Sequence, residues 1–244
     1  MTITPSYRSN AVWAGVFFII ATALLFAGQA LYQPALGDPD PLTAAADART
    51  TVTLGVLIEY LSLLAIPLVA VALYPVLRRV SVTLAVGYVA FRVLEAAIFY
   101  HQEASRVLVL ELSAEQAAAP VADTGQLDLL VRTQNAGEAW SGVSSSLYNI
   151  AFVIGMLMLN WMLWSSRLVP RWISGWGLVS AVVHGAVAVF VLFGTLSDVV
   201  ALALVAPLGI QEMVLALWLI LKGFNHAALD RLVEAPTERI AVPG

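Results

Sequence analysis

Six apolar stretches run along this chain, separated by polar turns. A helix needs about 20 apolar residues to cross a hydrocarbon core about 30 Å thick. The first stretch, residues 11–32, carries no ionisable residue, which places it at the edge of a bundle. Gly28-Gln-Ala30 has the small-x-small look of a signal cleavage site, but the apolar run is too long for a signal core of about 7–15 residues. Residues 33–49 hold three prolines and three aspartates and read as a loop. The second span, 51–77, has Glu59 in its outer part and Pro67 near its centre. Proline is tolerated at such depth when neighbouring helices or water satisfy the freed carbonyl.

The third apolar stretch, 81–111, exceeds what a membrane alone requires. Its last part, with His101, Gln102, Glu103 and Arg106, is expected to project as a solvated polar extension. Residues 112–139 form the longest connection. Within it, residues 126–132 have one apolar side and read as a short helix over the bundle mouth. The alanine-rich residues 114–122 break at Pro120 and read as loop. The fourth span, 141–164, opens on serines and carries Asn149 and Asn160. The fifth, 172–193, has Gly177, Ala181 and Gly185 four apart, a seam of small residues that admits a close neighbour; His184 borders it. The last, 201–221, contains Pro207, Gln211 and Glu212. Lys222 and Gly223 then read as a helix end, and the tail to Gly244 is expected to be disordered.

The fold class is therefore all-α: a polytopic transmembrane bundle of six spans in one domain. Composition agrees, with 60% hydrophobic and 11% charged residues, against about a quarter charged in a soluble domain. Six spans bring both termini to one side. Arg8, Arg78, Arg79, Arg167, Arg171 and Lys222 lie there, and the opposite loops are acidic. Basic loops stay in the cytoplasm, so both termini are expected inside. Tryptophans 161, 164, 172 and 176 around the Arg167/Arg171 turn form an aromatic belt at that interface. The lipid bilayer is the expected partner. No basic block or finger spacing points to nucleic acid. Without cysteine there is neither disulfide nor thiolate chemistry.

Candidate chemistry lies in the polar residues inside the spans. At about 1.5 Å rise per residue, Glu59, Arg92, Glu95, Asn149, His184 and Glu212 all fall at about 9–16 Å below the outer end of their helices. Arg92 and Glu95 share a helix face, which Tyr88 and Phe99 extend. Intramembrane ionisable residues point into a bundle or a wet cavity. A single outward-facing cavity is thus expected, lined by Arg92, Glu95, Glu59, Glu212, His184, Asn149, Gln211 and Tyr88. Three glutamates against one arginine leave a formal −2, to be relieved by protonation, by His184 or by a bound cation. Each signal has a plainer reading. The Arg92–Glu95 pair can simply fix helix packing, Asn149 and Gln211 can bond helix to helix, and His184 can be a packed histidine.

No phosphate loop, H-E-x-x-H, G-x-S-x-G or di-iron Glu-x-x-His pattern is present, and no metal ligand is assigned. The leading expectation is binding of a small polar or cationic molecule, with transport or sensing as its use. An intramembrane acid–base or metal-dependent enzyme is the alternative, and a structural accessory subunit a second one.

Three motifs carry a family resemblance: residues 91–98 (Phe-Arg-Val-Leu-Glu-Ala-Ala-Ile), residues 170–178 (Pro-Arg-Trp-Ile-Ser-Gly-Trp-Gly-Leu), and residues 212–223 (Glu-Met-Val-Leu-Ala-Leu-Trp-Leu-Ile-Leu-Lys-Gly). In this order and spacing the chain resembles the DUF4386 family, a domain of unknown function. The resemblance implies an integral protein of the bacterial cytoplasmic membrane. It brings no activity, so no catalytic residue is carried over.

Overall fold

A computed structural model describes residues 7–118, 129–131, 146–193 and 196–234. The described chain is helical throughout, with no strand. Six helices are long and apolar enough to cross a membrane: α1 (Tyr7–Leu36), α3 (Arg49–Leu77), α4 (Val82–Ala118), α5 (Ser146–Ser166), α6 (Arg171–Leu192) and α7 (Asp198–Leu221). Two short helices join them, α2 (Pro41–Asp47) and α8 (His226–Glu234). The protein is a multi-pass helical membrane protein.

The long helices form a ring. Each packs mainly on its neighbours in the chain, and α7 returns to α1 to close the circuit. The first helix therefore lies between α3 and α7 rather than at an edge. Small residues, not charges, put it there. A Cβ on Gly15 would stand 2.5 Å from the Ala216 carbonyl oxygen of α7. One on Gly28 would stand 2.6 Å from that of Gly55 in α3, and the reverse contact is 2.8 Å. Both helix pairs approach to backbone distance because no side chain intervenes. On α6, the seam at Gly177 and Gly185 receives Asn160 and Val153 of α5 in the same way.

The ends of the ring are tied by polar contacts. Arg8 donates from Nη1 to the Leu219 carbonyl at 2.8 Å and from Nη2 to that of Ile220. A guanidinium there satisfies the orphan carbonyls and the negative end of the helix dipole. Gly223, at φ 73°, turns the chain out of α7, a conformation glycine adopts without a Cβ penalty.

Three connections differ from the sequence reading. Residues 41–47 are helical because the Asp40 side chain accepts from Thr43 N and Pro41 occupies the first turn, both favourable helix starts. The last helical stretch of α4 runs on to Ala118, so alanine propensity carries it past Glu111. The tail begins with a helix. Asn225 Oδ1 accepts from Ala228 N, Asn225 N donates to the Leu168 carbonyl, and Ala228 is buried against the core. Of the proposed helix at 126–132, only residues 129–131 are described. Val131 packs there on a small core with Leu42, Val52 and Val109. The remainder of that segment, and the rest of the tail, lie outside the described residues.

Candidate functional site

Helix α4 is the polar spine of the ring. Tyr88, Arg92, Glu95, Phe99, Gln102, Glu103 and Arg106 are all buried. They recur at three- and four-residue intervals, so they share one face. That face turns inward because a charged group has no solvation among lipid chains. Arg92 and Arg106 lie 14 residues, about 21 Å, apart along it, and they serve two separate clusters.

The first cluster surrounds a cavity of about 360 Å³. Arg92 Nη1 lies 3.0 Å from Glu95 Oε2. The Tyr148 hydroxyl of α5 donates to Glu95 Oε1 at 3.1 Å. The Arg92 guanidinium stands over the Phe152 ring, 5.8 Å from its centre, within cation–π range. Phe152 in turn meets the His184 ring edge-on at 5.4 Å. His184 Nε2 donates to Asn149 Oδ1 at 2.6 Å, and in the neutral tautomer this leaves Nδ1 with the lone pair. Nδ1 has no hydrogen-bond partner among the described residues, and neither has Arg92 Nε. Glu212 of α7 also lines the cavity, and no described protein group donates a hydrogen bond to it. Arg92, Glu95 and Glu212 give a formal −1.

The structure thus brings Arg92, Glu95, Asn149, His184 and Glu212 together from four helices. Three other expected members do not line the cavity. Glu59 belongs to a second cluster: its Oε2 accepts from Arg106 Nη1 at 2.9 Å. Arg106 also donates to Glu103, and its guanidinium lies 4.4 Å from the Tyr32 ring centre. Glu59 is drawn away from the cavity because α4 stays packed in the bundle well past His101, where Arg106 meets it. Gln102, Glu103 and Arg106 are therefore buried instead of forming a solvated extension. Only His101 of that group is exposed. Gln211 is fully buried elsewhere, donating to Asn160 Oδ1 and to the Ile173 carbonyl, both at 3.2 Å. It ties α7 to α5 and α6. Tyr88 is fully buried one turn from Arg92 and does not line the cavity.

Sequence reasoning missed Tyr148 and Phe152 as cavity residues, and Arg106 and Glu103 as a buried pair. The signal for the second pair was present in the unbroken spacing from Arg92 to Arg106. Tyr148 and Phe152 carry no such signal, since aromatic residues are common at any helix position near an interface.

A ring of six spans around a charged cavity defines the class: a polytopic helical membrane protein with an internal polar site. Residues 13–223 match the family described as Domain of unknown function (DUF4386), and the chain belongs to that family. No curated protein matches the chain, and no solved structure matches it.

Proposed function

We propose that this protein binds a small molecule bearing a positive charge in the cavity between α1 and α4–α7, as the recognition step of transport or sensing. One observation carries this reading. Glu212 reaches the cavity without a hydrogen-bond donor among the described residues, beside Glu95, a second carboxylate that Arg92 and the Tyr148 hydroxyl hold. A buried carboxylate is stabilised by a cation close by, and a ligand amine supplies one. His184 Nδ1 offers a hydrogen-bond acceptor to the same amine. The cavity falls at the small end of the range of about 300–1,000 Å³ typical of ligand sites.

The test is thermal unfolding of the protein in lipid nanodiscs with straight-chain amines from methylamine to dodecylamine, each paired with the alcohol of equal length. At least one amine is expected to raise the midpoint by several degrees while its alcohol does not, and Glu212→Gln is expected to abolish that rise. A panel without effect, or an equal rise in Glu212→Gln, contradicts the reading.

The arginine-rich end of the ring is assigned to the cytoplasm by the Lys/Arg rule, which turns the cavity toward the outer leaflet. Because the chain has no cysteine, a single Asp38→Cys change reports on this. An impermeant maleimide added to intact cells should label it, and protection from outside would reverse the orientation.

A further inference from the structure

The cavity has a side wall that is incomplete toward the lipid. Helix α1 stays on α3 along its length, from the Asn10 Nδ2 bond to the Ala72 carbonyl at 2.9 Å to the Gly28–Gly55 contact. Against α7 it closes at Gly15, where the Ala216 backbone is in contact. Beyond that level the cavity fills the space between them. Phe18, Thr22 and Phe26 of α1 face it from one side, and Leu202, Val205 and Gly209 of α7 from the other. A Cβ added to Gly209 would meet nothing within 4 Å. The outermost residues at this gap are apolar and outward-lying: Phe26 is 63% exposed and Leu202 68%. Such a surface faces acyl chains and not water. At the inner end of the same space stand Arg92, Glu95, His184 and Glu212.

The geometry points to a membrane amphiphile as the ligand: one with a single apolar chain and an amine head, entering sideways from the bilayer between α1 and α7. This rests on the binding reading above and adds the ligand's class and route. The head would sit between Glu212 and Glu95, where the formal −1 and the His184 Nδ1 acceptor meet it. The chain would lie along the apolar gap, with its far part among lipid. Two independent features support a ligand here. His184 Nδ1 is a buried polar atom left without a partner beside the cavity, and a wall with apolar, outward-lying side chains leads to it. A water-soluble ion would have no use for such an entrance.

The test uses the same amine panel in nanodiscs, with the alcohols subtracting simple partition into lipid. Decylamine is expected to bind at least tenfold more tightly than butylamine after that correction. Gly209→Phe, which fills open space at the gap, should weaken decylamine at least tenfold while leaving the unliganded midpoint within a few degrees. Ala206→Trp, at the same gap, serves if Gly209→Phe does not fold. Equal corrected affinity for butylamine and decylamine, or decylamine binding undisturbed by the filled gap, overturns the amphiphile and its route while leaving the cation site intact. Absence of any amine binding overturns both.

Discussion

Glu59 and Arg106 show how a charge inside a membrane protein is kept. Arg106 meets two carboxylates and an aromatic face at once. Removing one partner of a buried pair leaves an uncompensated charge and costs about 3–5 kcal/mol. The Arg49–Glu111 pair, with both side chains about half exposed, belongs to the class worth about 0–1 kcal/mol. Arg106→Ala is therefore expected to lower the unfolding midpoint strongly, whereas Arg49→Ala should leave it within a few degrees. Similar shifts from both changes, read by the same thermal scan, would remove the structural role assigned to Arg106. At this scale the sequence was informative where a polar residue had no business outside a bundle: Arg92, Glu95, His184 and Glu212 meet. It misled where the end of the third span, with Gln102, Glu103 and Arg106, was read as a solvated extension. Span ends depend on neighbours that cover the helix, and α2 with Val131 provides that cover around the end of α4.

At the scale of the element, the long helices were legible from their apolar runs, and the short ones were not. Residues 33–49 looked like loop because prolines and aspartates are turn formers. The same Asp40-Pro41 pair is also a helix start, and only packing on α4 decides between these uses. The register of α1 was invisible for a related reason. Glycines in an apolar run announce close approach without naming the partner. Gly28 is now placed against the Gly55 carbonyl and the Glu59 backbone, so backbone atoms would have to move for any side chain. Gly28→Leu is expected to lower the midpoint more than Gly209→Leu, which enters open space. A midpoint equal to wild type for Gly28→Leu would show that α1 and α3 are not held at that contact.

At the scale of the whole molecule, the ring makes a cavity because each span packs on its neighbours in sequence and α1 closes against α7 at one end only. The family match, residues 13–223, extends over the six spans. The number of spans and the meeting of most intramembrane charges could be read from hydropathy and helix rise. The division into two clusters and the gap between α1 and α7 could not, because both depend on which helices touch. The most direct measurement is photolabelling in nanodiscs with decylamine carrying a diazirine on the part of its chain nearest the amine, followed by mapping of the modified peptides. Label confined to residues 18–26 of α1 and 201–209 of α7, and suppressed by excess decylamine, is the predicted result. Label spread evenly over the lipid-facing surfaces of all six helices, undiminished by decylamine, would contradict the account.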